Sequence, residues 1–152
     1  MKAALDTNVT ADDIVILDGP RITPGPRRIR KRLVEAYEAG NLRVLRRRKL
    51  TPAELREILR RAEENGRLGE EFVLNHERRA LRRAGRSDLA DGVRWISQES
   101  VAEGYDILSY EVSGDPKWIE VKSTVGISRS FEMSDLEWRT CCAAGAKYYI
   151  YR

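Results

Sequence analysis

Apolar and charged side chains alternate over residues 119–122 (IEVK), within the predicted strand 117–124 (KWIEVKST). In a β-strand, successive side chains point to opposite faces, so Glu120 and Lys122 would share one face while Ile119 and Val121 occupy the other. A carboxylate beside an ammonium group can bind a cation and stabilise negative charge on a reacting group. The same alternation is also typical of an ordinary solvent-exposed strand, so this pair alone is weak support for catalysis.

A further acid, Asp106, lies at the beginning of the preceding predicted strand, 105–112 (YDILSYEV). Asp is depleted in strands, so its placement there needs a reason. The turn Ser113-Gly114-Asp115-Pro116 predicts a hairpin that joins this strand to the next one and brings Asp106 towards Glu120. A purely structural role for Asp106, as a cap of its own turn, is the alternative.

Two acids interrupt the apolar face of a predicted helix over 68–84. Glu70 and Glu77 are seven residues apart and lie near the middle of an apolar stripe on that helix. Burying an unpaired carboxylate costs several kcal/mol, so each acid needs compensation. We predict a buried Arg or Lys partner for Glu77 and a polar site at the sheet edge for Glu70. The stripe consists of Val73, Leu74, Ala80, Leu81 and Ala84.

Glu70, Asp106, Glu120 and Lys122 together would form one polar site. Three carboxylates in one site repel one another and raise one another's pKa, and a divalent cation relieves that repulsion. Oxygen ligands from Asp106 and Glu120 suit Mg²⁺, which keeps several waters and accepts phosphate oxygens as further ligands. Such an ion polarises a phosphate and activates water, and Lys122 would stabilise the developing negative charge. These residue types therefore favour phosphodiester hydrolysis.

The elements around these residues predict an α/β fold, with a mixed sheet of four or five strands flanked by helices. From residue 68 onward the predicted order is helix, three strands, helix and strand. The predicted helices cover about 26–39, 52–65 (after the Thr51–Glu54 capping box and ended by Gly66), 68–84 (ended by Gly85) and 134–144 (with a Ser134–Glu137 capping box). The predicted strands are 14–17, 93–97, 105–112, 117–124 and 147–152.

Basic residues are concentrated in the first part of the chain, where Lys and Arg far outnumber Asp and Glu between residues 21 and 61. We therefore divide the chain into a basic N-terminal extension with helices, 1–65, and a second domain, 66–152. Cations near phosphate release condensed counterions, so a nucleic acid is the expected partner. A solvated helix face is the alternative. The residues expected to bind the nucleic-acid backbone are Arg27, Arg28, Arg30, Lys31, Arg46, Arg47, Arg48 and Lys49.

Composition excludes several other classes of protein. Cys141 and Cys142 are adjacent and are the only cysteines, so neither a disulfide framework nor a zinc site of the usual spacing is expected. His76 is the only histidine, which argues against Ser-His-Asp and Cys-His catalysis. No apolar run reaches membrane-spanning length, and no secretory signal is readable, so we expect no membrane association and a cytoplasmic location.

Five sequence blocks in fixed order carry a family resemblance: GEEFVLNHE (69–77), GYDILSY (104–110), WIEVKST (118–124), FEMSDLEW (131–138) and YYIYR (148–152). Over about residues 66–152 they resemble the uncharacterised domain named after the plant protein NO VEIN. That domain is in turn similar to the PD-(D/E)xK, restriction-endonuclease-like nuclease superfamily.

The resemblance implies an αβββαβ core with a Mg²⁺- or Mn²⁺-dependent nuclease site. Asp106 matches the Asp of the motif, Glu120 and Lys122 match its (D/E)xK, and Glu70 matches the helix acid of many such nucleases. All four are then expected to be catalytic, with Asp106, Glu120 and Glu70 as metal ligands. Tyr105 replaces the proline that gives the motif its name.

The expected function is that of a DNA endonuclease acting in restriction, defence or repair, and the resemblance also implies a homodimer. Two alternatives of another class stay open. One is a nucleic-acid-binding module with an inactive site, and the other is a protein-interaction module of the same fold.

Overall fold

The structure is a computed structural model that describes residues 14–15, 31–41, 43, 50–124 and 131–152. Most of the predicted basic contact residues lie outside these ranges. Lys31 begins the first helix, but its side chain is not among those described. The contact residues outside the described ranges are Arg27, Arg28, Arg30, Arg46, Arg47, Arg48 and Lys49.

The structure gives bounds for four helices and five strands, and the described residue Arg43 is also helical. The helices are α1 (Lys31–Glu38), α2 (Pro52–Arg83), α3 (Ser87–Asp91) and α4 (Asp135–Ala144). The strands are β1 (Ile14–Val15), β2 (Arg94–Trp95), β3 (Ile107–Tyr110), β4 (Pro116–Val121) and β5 (Tyr148–Tyr151). Short 3₁₀ turns cover Ile96–Gln98 and Gly145–Lys147.

The strands form one mixed sheet in the order β1-β5-β4-β3-β2. Strand β3 is antiparallel to both β2 and β4, whereas β5 runs parallel to β4 and to β1. The predicted hairpin between β3 and β4 is confirmed, and Gly114 in its turn has a φ of 101°, a conformation that glycine adopts without steric cost. The mixed α/β architecture and the order helix, three strands, helix, strand are also confirmed, apart from the short helix α3, which was not predicted.

The prediction that Gly66 ends a helix is wrong, because α2 continues from Pro52 to Arg83. A glycine inside a helix costs about 1 kcal/mol relative to alanine, and packing on both sides of Gly66 outweighs that cost. Before it, Ile58 packs against Leu33 and Val34 of α1. The predicted boundary between residues 65 and 66 therefore lies within a continuous helix.

The ends of other predicted helices and strands differ from the observed ends by a few residues. Of the strand predicted over 93–97, only the two residues of β2 are in a strand, because the chain turns into a 3₁₀ helix at Ile96. Strands β3 and β4 are shorter than the predicted 105–112 and 117–124. Both capping boxes are confirmed, at Thr51 with Glu54 and at Ser134 with Glu137.

The main core lies between α2 and one face of the sheet. Val73, Leu74 and Leu81 of α2 are buried against Ile107 of β3 and Ile119 of β4. Because Glu120 and Lys122 alternate with Ile119, they belong to the opposite face, where Lys122 contacts α4 through Glu137. Helices thus lie on both sides of the sheet.

Two glycines of α2 provide a matched test of this packing. A Cβ added at Gly69 would overlap Oγ of Ser123 and lie 3.0 Å from its Cβ, whereas no described residue lies within 4 Å of a Cβ added at Gly66. We expect Gly69→Ala to be less stable than Gly66→Ala by about 1–3 kcal/mol, because the Ser123 hydroxyl must rotate away and its Cβ is in a tight contact. Gly66→Ala should raise the free energy of unfolding by up to about 1 kcal/mol. Urea denaturation measures both, and equal effects would contradict the close approach at Gly69.

Candidate active site

Asp106 is hydrogen-bonded to both chain neighbours of Glu120. Its backbone N–H donates to the carbonyl of Ile119 at 2.9 Å, and its Oδ2 accepts from the backbone N–H of Val121 at 2.8 Å. The two acids, 14 residues apart in the chain, are therefore held side by side at the hairpin. The carboxylate of Asp106 accepts a hydrogen bond from β4, across the hairpin. The alternative, in which it caps its own turn, would have required a hydrogen bond to a neighbouring residue in the chain.

Lys122 lies between two carboxylates. Its Nζ is 2.7 Å from Oε1 of Glu120 and 2.8 Å from Oε2 of Glu137. The side chains of Glu120 and Lys122 are only 4% and 16% exposed. Burial alone would lower the pKa of Lys122, but the two carboxylates outweigh burial and raise it. Lys122 is therefore held in its charged form at the site.

Glu137 is a member of the site that the sequence did not reveal. Its pattern predicted only the partner of Ser134 in a capping box, and it does play that part, since Oε2 accepts from the backbone N–H of Ser134 at 2.9 Å. The same oxygen accepts from Lys122. Burial acts to raise the pKa of Glu137, but the hydrogen bonds from Lys122 and Ser134 prevail and lower it.

Glu70 lies at a polar site beside β2, the last strand in the sheet order, as the sequence predicted. Its Oε2 accepts from Nε1 of Trp95 at 2.6 Å and from the hydroxyl of Ser97. The charge of Glu70 contributes to the raised pKa of Asp106, so the helix acid is electrostatically part of the same site. Trp95 and Ser97 were not predicted, because neither forms a recognisable pattern with Glu70 in the sequence.

Both central carboxylates resist ionisation. Burial and the charge of Glu70 raise the pKa of Asp106 to about 7, against the opposing effects of the Val121 N–H and Lys122. Burial and the charge of Asp106 raise the pKa of Glu120 to about 8, again opposed by Lys122. The protein holds two acids together at a net energetic cost, and perturbed pKa values of this kind are concentrated at functional sites.

This cost predicts how the stability of the metal-free protein depends on pH. In the unfolded chain the pKa values of Asp106 and Glu120 are about 4, below their values in the folded protein. The stability that these two groups contribute is therefore fully present below about pH 4 and is lost as the pH rises through about 7 to 8. Asp106→Asn keeps an acceptor for Val121 and removes one charge. Between pH 5 and 8.5 we expect this variant to lose about 2–3 kcal/mol less than the unsubstituted protein. Urea denaturation in EDTA measures the difference, and parallel pH profiles would contradict it.

A divalent cation would find a small, oxygen-only donor set here. Among the described side chains, no three from His, Cys, Asp and Glu form a group that could hold a metal ion. Glu70 therefore does not complete a three-carboxylate group with Asp106 and Glu120, and its Oε2 accepts hydrogen bonds from Trp95 and Ser97. Mg²⁺ is commonly bound by one or two carboxylates, with water and substrate phosphate completing its shell. The residues therefore fit a hydrated Mg²⁺ ion better than an ion enclosed by three protein ligands.

Glu77 belongs to a separate buried cluster on the α2 side of the sheet. Its carboxylate accepts from Nζ of Lys117 at 3.2 Å, from Oγ of Ser109 at 2.8 Å and from the hydroxyl of Tyr151 at 2.7 Å. The predicted Arg or Lys partner is confirmed as Lys117. Burial and the charge of Glu77 raise the pKa of Tyr151, which keeps the tyrosine a hydrogen-bond donor. The three donors compensate the buried charge of Glu77, and the cluster lies apart from Asp106 and Glu120.

The protein thus has an α/β fold, with helices on both sides of a mixed sheet, and an acidic site beside the β3–β4 hairpin. A family model described as "Protein NO VEIN, C-terminal" matches residues 69–152, more than half of the chain, and the chain belongs to this family. No curated protein and no solved structure matches the chain. Within the described ranges, none of the helices has the length and apolar character needed to cross a membrane.

Proposed function

We propose that this protein is a metal-dependent nuclease that hydrolyses phosphodiester bonds in DNA, with Asp106, Glu120 and Lys122 as its catalytic residues and Glu70 beside them. One observation carries the proposal. Two acids, the buried Glu120 of β4 and the half-buried Asp106 just before β3, are held side by side, and Nζ of Lys122 lies 2.7 Å from Oε1 of Glu120. A fold that needed these positions only for packing would gain stability from apolar residues there.

The arrangement of the elements supports the same function. A helix, a three-strand meander, a second helix and a parallel strand occur in the order that the resemblance to PD-(D/E)xK nucleases implies. Asp106 directly precedes β3, and Glu120 lies near the end of β4, with Lys122 just after it. Fold likeness alone does not imply activity, so the proposal depends on the site.

Each residue has a distinct part in the proposed reaction. Asp106 and Glu120 would hold Mg²⁺ or Mn²⁺, with Glu70 contributing negative charge beside them. The bound ion would polarise the phosphate and lower the pKa of a water. Hydrolysis would form a bond from a water oxygen to phosphorus and break the bond to the leaving sugar oxygen, and the proton lost by the water would be balanced by one gained at the leaving oxygen. Lys122 would stabilise the extra negative charge on the phosphate oxygens.

The basic N-terminal segment would bind the phosphate backbone of the DNA. Lysines and arginines that neutralise phosphates make binding strongly dependent on salt. Band-shift titrations at several salt concentrations, in EDTA, should therefore show binding that weakens steeply as salt rises. Replacing Arg46, Arg47 and Arg48 with alanine should weaken binding and flatten its dependence on salt.

The direct test of the proposed function is cleavage of supercoiled plasmid. The protein is incubated with plasmid in Mg²⁺, in Mn²⁺ and in EDTA, beside single-stranded DNA and RNA. We expect nicked or linear plasmid only with a divalent ion. Direct conversion to linear plasmid would support a homodimer that cuts both strands.

The alternatives predict other results in the same experiments. Salt-sensitive DNA binding without cleavage under either ion would reject the nuclease and favour a binding module with an inactive site. No band shift even at low salt would favour a protein-interaction module.

A further inference from the structure

Lys122 must be anchored if its ammonium group is to act at a defined point. A lysine side chain has four flexible methylene groups, and holding it in one position costs conformational entropy. Glu120 and Glu137 both anchor it, at 2.7 and 2.8 Å. In the proposed function Glu120 binds the metal ion, which weakens its hold on Lys122. The remaining anchor is then Glu137.

We propose that Glu137 is a positioning residue, which holds the ammonium group of Lys122 at the site from the N-terminus of α4. The catalytic consequence rests on the proposed nuclease function, whereas the anchoring itself does not. Glu137 would act through Lys122 and would not touch the DNA.

The start of α4 holds Glu137 in place. Its Oε2 accepts from the backbone N–H of Ser134 at 2.9 Å, and its own N–H donates to Oγ of Ser134 at 3.2 Å. The carboxylate of Glu137 is therefore held by the backbone of Ser134 as well as by Lys122, so its position does not depend on the lysine alone. A capping box that uses one oxygen for both the helix end and Lys122 couples the position of α4 to that of the ammonium group.

Helix α4 and the residues after it also contact the segment that leads into Asp106. The hydroxyl of Thr140 donates to the carbonyl of Glu103 at 3.2 Å, and the hydroxyl of Tyr148 donates to the carbonyl of Gly104 at 3.0 Å. Gly104 has a φ of +73°, and a Cβ there would overlap Thr140 and come within 3.0 Å of the carbonyl oxygen of Leu136. The same helix thus sets the approach to Asp106 and holds Lys122.

Matched variants separate anchoring from capping. Glu137→Ala and Ser134→Ala each remove one half of the capping box, and loss of such a cap costs about 1 kcal/mol. Only Glu137→Ala also removes the anchor of Lys122. Glu137→Gln keeps an acceptor oxygen without the charge and should give an intermediate result.

Two readouts test the proposal. The first is the ¹H–¹⁵N signal of the Lys122 ammonium group, assigned by its loss in Lys122→Met and recorded at one pH without metal or DNA. The second is kcat and KM for plasmid cleavage. We expect Glu137→Ala to weaken the ammonium signal, because only Glu120 then contacts Lys122 in the metal-free protein. The same variant should lower kcat by about 10–100-fold with little change in KM, as for other residues that orient a reacting group. Ser134→Ala should keep the signal and most of kcat.

An unchanged ammonium signal in Glu137→Ala would overturn the proposal, as would equal losses of kcat in Glu137→Ala and Ser134→Ala. If the unsubstituted protein cleaves no nucleic acid and the signal still depends on Glu137, the anchoring is supported and the nuclease function is rejected.

Discussion

Glu120→Gln should reduce the rate of plasmid cleavage on the order of a thousand-fold. A metal ion contributes several kcal/mol of transition-state stabilisation, and each 1.36 kcal/mol is a tenfold change in rate. The amide is a much weaker ligand than the carboxylate and has no charge with which to hold Lys122. Initial rates of nicking at saturating Mg²⁺ measure the loss.

Glu71→Gln is the matched control for this variant. Glu71 belongs to α2, next to Glu70, and forms an exposed pair with Arg67 at 3.1 Å, of the kind that contributes little to stability. Both substitutions replace a carboxyl group with an amide, so Glu71→Gln controls for the general effect of removing an acidic side chain. Similar cleavage rates for both variants would exclude Glu120 as a catalytic residue.

Lys117→Met should lower the free energy of unfolding by about 3–5 kcal/mol. It leaves the carboxylate of Glu77, whose side chain is only 5% exposed, without its cationic partner in a buried position. Ser109 and Tyr151 still donate to it, but hydrogen bonds from neutral groups compensate a buried charge only in part. Urea denaturation at pH 7 measures the change.

The double variant Glu77→Gln/Lys117→Met identifies the cause of that loss. Because it removes the buried charge along with its partner, we expect it to be more stable than Lys117→Met alone. The pairing energy then follows from the full cycle of single and double variants. If Lys117→Met lies within 1 kcal/mol of the unsubstituted protein, the pair at 3.2 Å does not compensate a buried charge.

The approach of Asp106 to Glu120 was predictable because it depends on short-range rules. The turn at 113–116 predicts the hairpin, and side-chain alternation along each strand predicts the face. The register that pairs Ile107 with Ile119 then brings Asp106 beside Glu120. These rules need only local residue types, and they remained valid in the folded chain.

The partners of the helix acids were predictable in kind but not in identity. The cost of burying Glu77 requires a cation, and Lys117 provides it because β4 pairs Lys117 with Ser109 of β3 under that part of α2. The docking of a helix on a sheet is a long-range event that no sequence spacing records. For Glu70 the same holds of its two donors, Trp95 at the end of β2 and Ser97 in the 3₁₀ turn after it.

Two errors have opposite physical causes. Gly66 has the local character of a helix end, but packing along α2 on both sides outweighs that preference. Glu137 was explained completely by a local role, as the partner of Ser134, so nothing remained in the sequence to indicate its contact with Lys122.

The most direct test of the central claim is the anomalous diffraction of a crystal grown with Mn²⁺. The account predicts an anomalous peak bound by carboxylate oxygens of both Asp106 and Glu120, with Lys122 still contacting Glu137, and no such peak in a crystal of Asp106→Asn. An ordered site without a peak, with Glu120 and Lys122 paired as in the metal-free protein, would contradict the account.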